Sequence, residues 1–264
     1  MTDLATPGSA GLLNGKRLLI TGVLSDMSIA FQVARIAQEQ GAEIVLTSFG
    51  RALPITEEMT RLLPAPAPVI RLDVTRPEDL ERLPLEVTRH LGALDGIMHS
   101  IAYAPPGALG GRFLDTPWQD AATALHVSAF SLQALTASCA DVLEDGASVV
   151  GLDFDASLAW PGYDWMGVSK AALEAVARYL ALYLAERHIR VNLVAAGMIR
   201  TVAARAIPNT DHLETIWRNR PPLSWDVSDP TPPARACILL LSDWLSATTG
   251  EILHVDGGLH AVMT

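Results

Sequence analysis

Lysine is nearly missing from this 264-residue chain: of its 19 basic residues, only Lys16 and Lys170 are lysines and the rest are arginines. Where generic positive charge is wanted the chain uses Arg, so each surviving ammonium marks a place where its compact shape matters. Cysteine is equally scarce. Cys139 and Cys237 are too few for a disulfide framework and suit a reducing cytoplasm. Charged residues make up only 18% of the chain and leave it at net -10, so there is no basic field of the kind nucleic acid requires. With half the residues apolar, wholesale disorder is excluded. No membrane span is expected either. The uncharged stretch Ala121–Ala140 carries Thr123, His126, Ser128, Ser131, Gln133, Thr136 and Ser138, and reads as an amphipathic helix. Met1–Gly15 lacks the basic and apolar regions of a secretion signal, which points to a cytoplasmic protein. The seven histidines show no HExxH or Cys-paired spacing, so no metal site is expected. Gly11–Arg17 is no P-loop: its glycine spacing is wrong, and Arg17 follows Lys16 where Ser or Thr belongs.

What the chain does have is a regular alternation. Strands are expected at Arg17–Thr21, Glu43–Ser48, Val69–Asp73, Gly96–Ile101, Ser148–Asp153, Arg190–Ala195 and Ile252–Val255, most of them continuously apolar, as strands covered on both faces are. Helices are expected at Ile29–Gln40, Pro77–Leu91, Trp118–Leu143, Trp165–Arg187 and Thr231–Ser242. Repeated strand-then-helix units imply right-handed crossovers and a parallel sheet. The Pro-rich patch Pro64–Pro68 reads as a turn, and no linker or repeat divides the chain. The expected architecture is a single doubly wound α/β domain of the Rossmann type with seven parallel strands.

Ligands of such sheets sit beyond the carboxyl ends of the strands. The first strand ends Leu18-Leu19-Ile20-Thr21-Gly22 and runs through Val23–Met27 into Ser28-Ile29-Ala30, where a helix starts. Gly22 permits a tight exit, and the helix N-terminus offers free N–H groups to a pyrophosphate. One glycine stands where the dinucleotide fingerprint has three, so an ordinary βα turn fits equally well. The other notable pair is Tyr163 and Lys170. Seven positions on a helix rise ~10 Å and return to within ~20° of the same face. A phenol and an ammonium so placed can share one crevice, the phenol donating to a developing oxyanion. In a Lys-rich chain a solvated Lys would be the simpler explanation; here the residue is one of two.

The segments LLITGVLSDMSIAF (18–31), HSIAYA (99–104), VVGLDFD (149–155), YDWMGVSKAALE (163–174), VNLVAAGMIRT (191–201) and LSDWLSATTGEILHVDGG (241–258) together resemble the bacterial enoyl-acyl-carrier-protein reductases, members of the short-chain dehydrogenase/reductase superfamily. Within them, the resemblance is to the mycobacterial long-chain type. Ordinary members of the superfamily carry Tyr four residues before Lys, where Met166 stands here; the Tyr-x6-Lys spacing is the enoyl reductase pattern. The resemblance implies NADH-dependent reduction of the C2=C3 bond of a trans-2-enoyl thioester, carried by acyl-carrier protein or CoA, in fatty-acid or related biosynthesis. It further implies that Tyr163 stabilises the enolate, Lys170 binds the nicotinamide ribose, and Phe154 stands beside cofactor and substrate. Gly22, Val23, Leu24, Ser28 and Ile29 would line the pyrophosphate, Phe49 the adenine, and Asp73 and Val74 the adenine amine and ring. Ser100, Ile101, Ala102 and Val127 would border the ribose, and Asp153, Ala196, Gly197, Ile199 and Thr201 the nicotinamide. A homotetramer is implied as well, with the apolar end Leu259–Met263 as a candidate contact.

Four departures qualify the match. Met198 stands beside the nicotinamide where the family usually has Pro. No acidic residue follows the second strand to bind a ribose 2′-hydroxyl, and Arg51 in Ser48-Phe49-Gly50-Arg51 leaves NADPH open. The expected substrate lid, Thr201–Trp225, is short for the long-chain type, which suggests shorter, branched or bulkier acyl chains. Arg200, Arg205, Arg218 and Arg220 outweigh Asp211 and Glu214, making the lid a candidate landing patch for a phosphopantetheine or an acidic carrier, or simply a solvated helix. Two other functions stay open at this stage: a related reductase of another unsaturated or carbonyl substrate, and a dinucleotide-binding module without turnover.

Overall fold

The computed structural model describes residues 11–262 except 203, 205, 206, 208 and 209, and no side chain at 210–212. The start of the Met1–Gly15 segment, Arg205, the side chains of Asp211 and His212, and Met263 therefore lie outside the described residues.

Seven parallel strands form one sheet in the order β3-β2-β1-β4-β5-β6-β7. They are β1 (Arg17–Thr21), β2 (Glu43–Ser48), β3 (Val69–Arg71), β4 (Leu94–His99), β5 (Leu143–Asp153), β6 (Arg190–Ala196) and β7 (Ile252–Val255). The helices are α1 (Ile29–Glu39), α2 (Leu53–Met59), α3 (Pro77–Leu91), α4 (Trp118–Leu125), α5 (Ser131–Ser138), α6 (Asp164–Tyr183), α7 (Thr210–Asn219) and α8 (Thr231–Leu241). Strand side chains alternate between two cores, as the period of two requires. Leu18, Ile20, Ile44 and Leu46 pack under α1 and α8 with Val33, Ala37, Ala234 and Ile238. Leu19, Val45 and Ile97 face the other way, onto Leu83 and Val87 of α3, Leu132 of α5 and Leu173 of α6. Both faces are thus covered, which explains the continuously apolar strands.

The expected topology is present; the differences lie at element ends. The long helix expected over Trp118–Leu143 runs without a gap from Trp118 to Ser138, but it ends earlier and contains a π-helical turn. That turn, His126–Phe130, lies between α4 and α5, and Leu143 already belongs to β5, paired with Leu94 ahead of a register shift. That wide turn aims Ser128 at the loop after β4, where its Oγ accepts from Tyr103 N (2.9 Å) and donates to Tyr103 O (3.0 Å). β4 stops at His99 instead of Ile101, because Ser100 N turns to Thr21 Oγ (2.8 Å). β3 stops at Arg71, and just beyond it Asp73 Oδ1 accepts from Thr75 N and Oγ in a side-chain turn. α2 is a helix the apolar periodicity did not announce. No helix among the described residues is long and apolar enough to cross a membrane.

Candidate active site

The strand order changes direction between β1 and β4, and beyond the carboxyl ends of β1, β4, β5 and β6 lies a cavity of about 420 Å³. Its first half is built mainly from main chain. Gly22 leaves β1 with φ +80°, and a Cβ there would come within 2.0 Å of Ser100 O, so only glycine lets the β1 and β4 exits meet. Ser28 caps α1, its Oγ accepting from Phe31 N (3.1 Å) and donating to Ser25 O (2.7 Å). The positive end of α1 is thereby fixed at the cavity edge, which Gly22, Leu24, Ser25, Ser28 and Ile29 line.

The second feature is a buried polar cluster at the β5 exit. α6 begins immediately after Tyr163, its N-cap residue, which meets the condition that the helix begin by Tyr163 and so carry Tyr163 and Lys170 two turns apart. Both residues line the cavity and are under one-tenth exposed. Lys170 Nζ donates to Leu152 O (2.8 Å), which occupies one of its three donors. Burial lowers its pKa, while the nearby Asp153 opposes that shift. Asp153 is buried with no hydrogen-bond partner for either oxygen among the described residues; burial raises its pKa to about 7 against the pull of Lys170. Burial, reinforced by Asp153, also holds the Tyr163 phenol well above its ordinary range, so it stays protonated and able to donate. Behind the cluster, His99 Nε2 meets Ser131 Oγ at 2.8 Å. The Ser131 hydroxyl also donates to Val127 O (2.7 Å). Burial, with the charge of Lys170, depresses the His99 pKa to about 3 and keeps the ring neutral.

The far half of the cavity is apolar: Tyr103, Ala104, Leu109, Phe154, Trp160, Met166, Met198, Val202, Ala204, Ile207 and Leu213. Phe154 lies at 5.2 Å from the Tyr163 ring and 5.0 Å from Trp160. The mapping from motif to structure is therefore partial. Gly22, Leu24, Ser28, Ile29, Ser100, Ile101, Ala102, Asp153, Phe154, Tyr163, Lys170, Ala196, Gly197, Ile199 and Thr201 all line the cavity. Val23, Phe49, Asp73, Val74 and Val127 do not: Val23 and Val74 are buried in the two cores, and Phe49 is half exposed at the end of β2. Most of the apolar half went unread in the sequence, although Trp160 between the Phe154 and Tyr163 motifs was a visible signal.

The lid arginines are less available than their count suggested. Glu214 pairs in bidentate fashion with Arg200 (2.7 and 2.5 Å) and also meets Arg218 at 3.5 Å, tying α7 to the β6 exit. Leu259, expected as a subunit contact, is buried in this chain's own lid cluster with Trp217 and Met198.

A family profile described as "Enoyl-(Acyl carrier protein) reductase" matches residues 22–260. The chain is 43% identical over 262 residues to the enoyl-[acyl-carrier-protein] reductase (NADH) of Mycolicibacterium smegmatis, covering 94% of this chain and 97% of the relative. It is 44% identical to the enzyme of the same description from Mycobacterium avium, with the same coverage. A relative from Rickettsia bellii, also described as an enoyl-[acyl-carrier-protein] reductase (NADH), is 36% identical over 96% of this chain and 97% of its own. With a family profile matching nearly the whole chain, near-complete coverage and this level of identity, the chain belongs to the enoyl-acyl-carrier-protein reductase family.

Proposed function

We propose that this protein uses NADH to reduce the C2=C3 bond of a trans-2-enoyl thioester in fatty-acid or related biosynthesis. The observation that carries this is the convergence of Tyr163 and Lys170 in the same cavity as the α1 N-terminus. The residues fit a dinucleotide. Gly22 leaves room where a Cβ would block the chain, α1 offers its free amides to a pyrophosphate, and Lys170 keeps two donors for ribose hydroxyls. Phe49, Asp73, Val74, Val23 and Val127 extend this proposal past the cavity toward the adenine and the ribose. Held by these residues, NADH would supply a hydride for C3.

The chain's own residues do the rest. Tyr163 donates a hydrogen bond to the thioester oxygen as it gains negative charge, a stabilisation strengthened by the dry apolar surroundings. As the enolate collapses, C2 takes up a proton from solvent, which completes the addition of hydride and proton across the double bond. Phe154 walls the reacting carbons, and Thr201, Val202, Ala204, Ile207 and Leu213 of the lid line the apolar half. Carbonyl chemistry of the ordinary superfamily kind is disfavoured, because Met166, not a phenol, occupies the cavity position four residues before Lys170. NADH is proposed over NADPH because the relatives are described as NADH enzymes; Arg51 is the residue that would reverse that preference. A cytoplasmic setting suits the buried free thiols of Cys139 and Cys237. The proposed homotetramer would cover exposed apolar residues such as Trp118, Tyr179, Leu182 and Tyr183.

The test is loss of nicotinamide absorbance with enoyl thioesters on acyl-carrier protein and on CoA, using each coenzyme. Turnover with NADH is expected. Activity on ketones alone, NADH binding without turnover, or a strong NADPH preference would each contradict the corresponding part of the proposal.

A further inference from the structure

The apolar half of the cavity ends in an unusual construction. Four aromatic side chains from separate stretches of chain stand in contact: Phe154 at the β5 exit, Trp160 in the loop before α6, Trp217 in α7 and Trp225 at the end of the lid. Trp160 lines the cavity, stacks on Trp217 (5.8 Å, 21° between planes) and leans on Phe154 at 5.0 Å. Trp217 also lies at 5.9 Å from Phe154 and 6.0 Å from Trp225.

This wall is held in place, not loosely packed. The Trp160 indole N–H donates to Asp155 O (2.8 Å), and Asp155 is itself buried, with Oδ1 accepting from Ser157 N (2.9 Å). The Trp225 indole N–H donates to Met198 O (2.8 Å). Trp217 is 2% exposed and packs closely on Gly197, where an added Cβ would strike its ring at 2.8 Å and that of Trp225 at 2.7 Å. An acyl chain pressing on Trp160 therefore meets a ring anchored through its indole N–H and stacked on a second, buried ring in a close-packed interior. The space in front is also limited. About 420 Å³ has to serve both the nicotinamide end and the acyl end, although pockets for one drug-sized ligand run to ~300–1,000 Å³.

We infer that Trp160, backed by Trp217, is the acyl-chain-length selector of this site, and that it restricts the enzyme to short and medium enoyl thioesters. The inference rests on the enoyl reductase reaction proposed above and adds the residue that sets its substrate range. Trp160 is a specificity residue: it takes no part in hydride or proton transfer, so its removal changes which chains fit and leaves the chemistry at C2 and C3 intact.

The experiment compares kcat/KM for hex-2-enoyl-CoA and dodec-2-enoyl-CoA in the wild type, Trp160→Ala and Trp160→Leu, with the Kd for NADH measured on each. The wild type is expected to favour the six-carbon substrate. Both variants should raise the dodecenoyl-to-hexenoyl ratio by ~10-fold or more, mainly through a lower KM for the longer chain, because each pocket methylene is worth ~10-fold or more in discrimination. Their NADH affinity should stay at the wild-type level. Trp160→Leu keeps apolar packing at the site and decides the matter if the alanine variant does not fold. A wild type that prefers the twelve-carbon chain, or variants with unchanged ratios and intact NADH binding, would overturn the inference alone. A wild type that reduces neither thioester would overturn the proposed reaction, and this inference with it.

Discussion

The two halves of the cavity are built from different materials. The dinucleotide half is assembled from main chain: the β1 exit at Gly22, the amides at the start of α1, and strand ends that any apolar sequence of the right period would place there. The acyl half is assembled from side chains contributed by the loop after β4, the segment between β5 and α6, and the lid. A site made of backbone tolerates many side chains but no added Cβ. One made of side chains can be retuned residue by residue without disturbing the fold.

That contrast can be broken most easily at Gly22. Gly22→Ala forces a Cβ onto Ser100 O and an L-residue into a left-handed conformation, costing roughly 2–5 kcal/mol of stability. Thermal or denaturant unfolding should show that loss, and calorimetry should show NADH binding collapse with it. Wild-type stability and NADH affinity in this variant would mean the β1 exit is not the constraint described.

The buried cluster between the halves gives a smaller, pH-dependent effect. Asp153 titrates at about 7 in the folded protein, above its ordinary range when unfolded, so the folded state holds its proton more tightly. Its contribution is present at low pH and is lost as pH rises through that value, at no more than about 1.4 kcal/mol per pH unit. Asp153→Asn should therefore gain stability relative to wild type between about pH 4 and pH 7 and hold the gain above it. Parallel pH–stability curves for the two proteins would remove the special environment of Asp153. Smallest of all should be Met166→Leu in the acyl half. A swap that nearly conserves volume costs less than ~1.5 kcal/mol, so unfolding and NADH affinity should barely move while the KM for enoyl substrate shifts. A large loss of NADH affinity there would erase the distinction between the halves.

Legibility in the sequence follows the same division. The strands and the α1 start could be read because they follow local rules: short β-branched or apolar runs and a glycine at a tight exit. Tyr163 and Lys170 could be read because one helix carries both and lysine is otherwise nearly missing. The π-helical turn at His126–Phe130 could not, since it leaves the apolar periodicity almost unchanged and exists to aim Ser128 at Tyr103. Trp160, Trp217 and Trp225 are far apart along the chain, and only tertiary packing reveals them as one wall. The pairing of Glu214 with Arg200 was hidden for a related reason, because counting charges does not show which residues face each other.

The most direct test of the central claim is a paired measurement of single-turnover reduction rate and NADH Kd on Tyr163→Phe and Lys170→Ala. Removing a hydrogen bond to a developing charge should slow Tyr163→Phe by about 10–100-fold with NADH affinity unchanged. Lys170→Ala should instead weaken NADH binding. Tyr163→Phe reducing enoyl thioesters at the wild-type rate, or Lys170→Ala binding NADH as tightly as the wild type, would contradict the shared crevice on which this account depends.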